Sequence, residues 1–143
     1  MARVLVIEDD GPMRQMIRKM LERDGHDVTE ARDGVEALQL FRTQPAEVAV
    51  VDIYLPEVDG WETIRELHRL TPDLPFVLVS GGAPLEIVRK GATGTLDAAR
   101  QVAAFRVLRK PFTWDALTGA VDDLLSASSQ TGGRHSAAAE ARS

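Results

Sequence analysis

Val48-Ala49-Val50-Val51 is an unbroken apolar run that stops on a carboxylate, Asp52. A β-branched run with no polar face suits a strand covered on both sides, as in a parallel sheet flanked by helices. Pro56 closes the segment, because proline cannot continue a ladder. Asp52 therefore falls where a central strand gives way to a loop. In open α/β sheets that edge is where ligands bind. The plainer reading is an aspartate that starts a turn, and the rest of the chain decides between them.

The same grammar recurs along the chain. Arg3 to Ile7 reads as a buried strand and ends in three acids, Glu8-Asp9-Asp10. Gly11-Pro12 leads into an amphipathic helix, Pro12 to Asp24, with Met13, Ile17, Met20 and Leu21 on one face and Gly25 as its stop. Asp27 to Ala31 is a second strand, and Val35, Ala37, Leu38 and Phe41 mark a second helix ended near Pro45. After Asp52, Trp61, Ile64, Leu67 and Leu70 mark a third helix, with Asp59 as its cap. Pro75 to Val79 is a fourth strand ending in Ser80-Gly81-Gly82. Pro84 to Lys90 and Thr95 to Ala104 read as two short helical pieces separated by Gly91-Ala92-Thr93-Gly94. Phe105 to Leu108 is a fifth strand, followed by Arg109-Lys110-Pro111-Phe112 and a last helix capped by Thr113.

Strands alternating with helices predict a parallel sheet covered on both faces. With right-handed crossovers, five βα units point to the flavodoxin-like doubly wound order 2-1-3-4-5. Glu8, Asp9, Asp52, Ser80 and Lys110 each follow a strand, so all fall at its carboxyl-end edge. From Ser126 the composition turns to Ser, Ala and Gly, which places a domain at residues 1–127 and a flexible tail at 128–143.

Composition narrows the chemistry. Without cysteine, thiolate catalysis, disulfides and Cys-based zinc sites are excluded. A net charge of -5 argues against non-specific nucleic-acid binding. No apolar run approaches the ~20 residues of a membrane span, and Met1-Ala2-Arg3 leads straight into a strand, so a cytoplasmic chain is expected. His26, His68 and His135 are scattered and read as surface residues.

Carboxylates gathered at one edge repel each other unless a cation sits among them. A hard oxygen set without His or Cys suits Mg²⁺. A lysine and a serine hydroxyl beside it are what a transferring phosphoryl group needs on its oxygens. A carboxylate can itself be the nucleophile. The residues read as metal-assisted phosphoryl transfer onto Asp52.

Glu8-Asp9, Asp52, Ser80 and Lys110-Pro111, in that order and at (βα)₅ spacing, resemble the receiver domain of two-component response regulators. The resemblance covers nearly everything but the tail. It implies that Glu8 and Asp9 bind Mg²⁺, with Asp9 as the direct ligand and Asp10 as a solvated neighbour. It implies that Asp52 is the phosphoacceptor and that the backbone carbonyl of Tyr54 completes the metal shell. Ser80 and Lys110 would contact the phosphoryl group, and a cis peptide would precede Pro111. The implied phosphodonor is a sensor histidine kinase or a phosphotransfer histidine, and the implied output is phosphorylation-dependent binding of a downstream protein, or phosphorelay. The implied oligomeric state is a monomer, or a dimer through the face of the fourth helix, fifth strand and fifth helix.

Three positions depart from the family pattern. Val107 stands where Tyr or Phe often acts as a switch; Phe105, on the same side of the strand, is the candidate substitute. Ser80 to Lys110 is longer than usual, with the extra length in 84–94, which would reshape the partner surface or merely extend a loop. Tyr54 is bulky and would shield an acyl phosphate from water, or form a hydrogen bond across the site. An aspartyl-phosphate phosphatase or phosphotransferase would show Asp-x-Asp, where Tyr54 stands instead. A flavodoxin-like electron carrier would need a phosphate loop where the three acids stand. The remaining alternative is a degenerate, docking-only receiver.

Overall fold

The computed structural model describes residues 2–52, 60–80 and 104–131; the side chains of Gly60, Trp61, Ser80 and residues 128–131 are not part of that description. The elements are β1 (Arg3–Ile7), α1 (Gly11–Arg23), β2 (Asp27–Ala31), α2 (Gly34–Thr43), β3 (Val48–Asp52), α3 (Gly60–Leu70), β4 (Phe76–Ser80), β5 (Phe105–Arg109) and a last helix, here α4 (Trp114–Thr131). All strand pairs are parallel, and the order is β2-β1-β3-β4-β5, as the alternation predicts. Expected boundaries move by a residue at α1, which spans Gly11–Arg23, and at β5, which runs on to Arg109, and two others shift as well. β4 begins at Phe76, and Pro75 contributes only its carbonyl, which accepts from the Ala49 N–H. α4 runs on to Thr131, past the boundary read from composition. Tyr54, Asp59, both short helical pieces of 84–104 up to Ala103, and residues 132–143 lie outside the described residues.

Strand parity divides the core in two. Leu5, Ile7, Ala49, Val51, Phe76 and Leu78 face α2 and α3, where they meet Ala37, Phe41, Ile64 and Leu67. Val4, Val6, Val48, Val50, Val77 and Val79 face α1 and α4, where they meet Ile17, Leu21, Leu117, Val121 and Leu124. All five residues of β3 are buried, which is why its sequence shows no polar alternation. Among the described residues, no helix is long and apolar enough to cross a membrane.

The helix ends follow local chemistry. Asp10 caps α1 by accepting from the Met13 N–H at 3.0 Å, and Thr113 caps α4 by accepting from the Ala116 N–H at 3.0 Å. α1 ends in a Schellman turn: Gly25 N–H donates to Glu22 O and His26 N–H to Leu21 O, each at 3.0 Å. Gly25 sits at φ 93°, where a side chain is disfavoured. This turn sends the next residue inward, so His26 is buried and not the surface residue its sequence context implied.

α2 and α3 meet at Gly34. A Cβ on Gly34 would collide with the buried Thr63 side chain. Gly34→Ala is therefore expected to lower stability by about 2 kcal/mol through overpacking. Thr63→Ala in the same chain should recover part of that loss in urea melts; equal loss with and without it would show that the clash is not the cause.

Candidate functional site

β1 and β3 are neighbours in the sheet, and their carboxyl ends bring Glu8 and Asp52 together. Both carboxylates are buried, at 2% and 4% exposure. Asp9, the next residue, is exposed, and the carboxylate oxygens of Glu8, Asp9 and Asp52 lie within 4.8 Å of one another. Lys110 follows β5 and reaches back across the edge. Its Nζ donates to Glu8 Oε1 at 3.0 Å and to Asp52 Oδ2 at 3.5 Å. The Lys110–Pro111 peptide is cis. Ser80 closes β4, in register with Arg109, and so stands at the same edge.

Among the described residues Lys110 faces three carboxylates, whose mutual repulsion it offsets only in part. Glu8 carries the consequence. Burial first, then the hydrogen bond and negative charge of Asp52, push its carboxyl up from 4.5 to about 7, against the opposing pull of Lys110. Burial pulls Lys110 down, yet the hydrogen bond to Glu8 and the charges of Asp52 and Glu8 more than offset it, so its ammonium stays above its ordinary value. The proton that Glu8 tends to retain offsets part of the negative charge gathered at this edge. All the carboxylate donors there are oxygens, which fits a hard divalent ion.

Glu8 is held from every side. Its N–H donates to Ala31 O at 3.1 Å, Asp10 N–H donates to its Oε2 at 3.3 Å, and Arg14 Nη1 donates to its carbonyl at 2.8 Å. Arg14 also donates through Nε to Glu30 Oε1 at 2.9 Å, and Arg18 takes the other Glu30 oxygen. Arg14 was not legible as a site residue. Its only signal was an arginine on the first turns of the helix that follows the acids. Asp10, read as a solvated neighbour, is exposed but has the added role of capping α1.

The other sequence candidates fall elsewhere. Phe105 opens β5, opposite Phe76, in the core shared with α2 and α3, and Val107 packs against the same cluster. The two do share a side of the strand. Phe105 nevertheless stands at the amino end of β5, about 15 Å along the strand from Lys110, and the structure does not bring it to the carboxylates. Tyr54 lies outside the described residues.

Comparison with known proteins agrees with this geometry. The family described as "Response regulator receiver domain" matches residues 4–122. The chain is 32% identical over 125 residues to the response regulator receiver protein CpdR of Brucella abortus, covering 87% of this chain and 98% of that one. It is 34% identical to the response regulator MprA of Mycobacterium sp. (strain KMS), over 86% of this chain but only half of that protein. It also matches, at 36% identity over 126 residues, 12% of the length of the sensor kinase CckA of Brucella abortus. Among solved structures, a response regulator receiver domain protein from Clostridium thermocellum superposes with a TM-score of 0.76 at 26% identity, over 91% of this chain and 98% of that one. A buried aspartate at the end of β3, acids after β1, a lysine after β5 and a family match across almost the whole sheet lead to one conclusion: the chain belongs to the response regulator receiver domain family.

Proposed function

We propose that this receiver is a phosphoacceptor switch. Asp52 takes a phosphoryl group from a phosphohistidine on a sensor kinase or phosphotransfer protein, and a partner protein reads the modified form. The observation that carries this reading is a buried Asp52 that shares Lys110 with Glu8 and lies within ligand distance of Asp9. Glu8, Asp9 and Asp52 would hold Mg²⁺. The ion would neutralise the carboxylates and the charge on the phosphoryl oxygens. An Asp52 oxygen attacks phosphorus, the bond from phosphorus to the donor imidazole breaks, and the imidazole leaves. Lys110, already at Asp52, supplies a fixed positive charge to the transferred group. Ser80, the last residue of β4, would add its hydroxyl. Tyr54 would contribute its carbonyl to the metal.

The protein would then act in the cytoplasm as a signalling domain, with at most self-catalysed phosphorylation and dephosphorylation. Its phosphorylated form would be favoured by contacts that the unmodified form lacks. The intact carboxylate and lysine set supports this reading over docking alone.

Intact mass after incubation with Mg²⁺ and a small-molecule phosphodonor tests it. One phosphoryl adduct is expected on the wild-type chain, and none on Asp52→Asn or in excess chelator. An adduct that survives Asp52→Asn, or no adduct even with a phosphorylated histidine donor, would overturn the assignment.

A further inference from the structure

We infer that the chain carries a second metal site, for Zn²⁺, formed by Asp24, His26 and Asp122 where the α1–β2 turn meets α4. His26 is only 7% exposed, and its Nε2 is buried without a hydrogen-bond partner among the described residues. That nitrogen is directed between two carboxylates, 3.4 Å from Asp24 Oδ2 and 3.5 Å from Asp122 Oδ1. Tetrahedral ligands placed ~2.0 Å from zinc stand about 3.3 Å from each other, so these separations are close to those of a zinc shell. The three ligand atoms lie within 4.8 Å of one another.

The donor set and its access select the ion. One imidazole with two carboxylates suits zinc, whereas Mg²⁺ and Ca²⁺ take oxygens. Two carboxylates balance the charge of the dication. Asp24 and Asp122 are exposed enough to admit it with a water as fourth ligand, and neither is ion-paired to a lysine or arginine among the described residues. The site is separate from the phosphoacceptor. His26 immediately precedes β2, at the amino ends of the strands, whereas Asp52 closes β3 at the carboxyl ends.

Proton placement gives binding a specific signature. The Ala2 N–H donates to His26 Nδ1 at 3.1 Å, so the neutral metal-free imidazole carries its proton on Nε2. Zinc on Nε2 requires that proton to leave, and the imidazole to carry one on Nδ1 instead. The Ala2 amide must then turn away. Its carbonyl accepts from Asp27 N–H, so the strand end stays anchored while this one hydrogen bond is given up.

Co²⁺, which absorbs visible light when tetrahedrally bound, is the probe. The full chain, stripped of metal, is titrated with Co²⁺ and back-titrated with Zn²⁺, alongside Asp24→Asn, Asp122→Asn and Asp52→Asn. Intense d–d absorption at one equivalent is expected for wild type and for Asp52→Asn, bleached by Zn²⁺. The apparent affinity should fall at least tenfold in Asp24→Asn and in Asp122→Asn. Both altered side chains are on the surface, so these variants decide the matter without disturbing the buried His26. No d–d absorption in the wild type, or Asp24 and Asp122 variants that titrate like it, would overturn the site.

Discussion

Replacing Lys110 with alanine is expected to slow phosphorylation of Asp52 by about 10²–10³-fold, the scale of losing one fixed electrostatic partner of a reacting group. The ammonium already lies 3.5 Å from Asp52 Oδ2 and 3.0 Å from Glu8 Oε1, so it needs no reorganisation to meet a phosphoryl oxygen. The substitution should also destabilise the metal-free protein, by an amount that depends on pH. At pH 8 Glu8 has lost its proton, because its carboxyl titrates at about 7. Lys110 then faces two buried anions, and its removal takes away the cation that Glu8 and Asp52 share. Breaking a buried pair costs about 3–5 kcal/mol at worst. Glu8 can take back its proton, which limits the loss to about 1–3 kcal/mol. At pH 5 Glu8 already holds that proton, so the loss shrinks. Lys110→Arg should recover most of the stability but not the rate, because a planar fork does not reproduce a compact ammonium. Phosphorylation rates at saturating Mg²⁺, with urea melts in chelator at both pH values, check this. A rate within threefold of wild type would remove Lys110 from the proposed chemistry.

The parts of the fold that were legible in the sequence are those in which local pattern and global burial demand the same residues. β3 reads as Val and Ala up to Asp52 because all five of its positions are buried, and Val4 to Ile7 of β1 are apolar for the same reason. Gly25 announced the end of α1 because the turn there needs a positive φ. The site was legible because the sheet edge collects whatever follows each strand, so Glu8, Asp9, Asp52 and Lys110 needed no long-range information beyond the strand order. His26 failed for the opposite reason. It is buried by a backbone turn, and one of its carboxylate neighbours, Asp122, comes from the far end of the chain. Nothing near His26 in sequence marks that meeting. Arg14 failed similarly, because its partner is the backbone carbonyl of Glu8, which carries no sequence signature. Phe105 shows the limit of parity. Alternation told which face it occupies, but only the strand's starting point told which end.

Glu8→Gln is expected to stabilise the metal-free protein at pH 8 while weakening its response to Mg²⁺. Glu8 has a folded-state value of about 7 against an ordinary 4.5. Below pH 4.5 it is protonated in both folded and unfolded chains and makes no difference. As pH rises from 4.5 to 7, the unfolded chain loses this proton first, so the folded state binds more protons and the wild-type protein loses stability. The deficit is complete above pH 7 and amounts to ~3 kcal/mol at ~1.4 kcal/mol per pKa unit. Glutamine never ionises, yet it keeps an oxygen to accept from Lys110. In chelator, then, the variant and wild type should melt together near pH 4.5, and the variant should melt several degrees higher at pH 8. Mg²⁺ is expected to reverse the order of benefit. Bound as proposed, it would neutralise the very anion that destabilises the wild-type protein, so the wild-type melting temperature should climb steeply with the ion and that of the variant should climb less. By the same coupling, the proposed Mg²⁺ binding should displace the Glu8 proton between pH 4.5 and 7, and affinity for the ion should fall as pH drops through 7. Melts across pH with and without Mg²⁺ separate the outcomes. A variant less stable than wild type at pH 8 in chelator would show that Glu8 serves the fold through its charge. A metal response unchanged by the substitution would leave Asp9 and Asp52 to hold the ion without it.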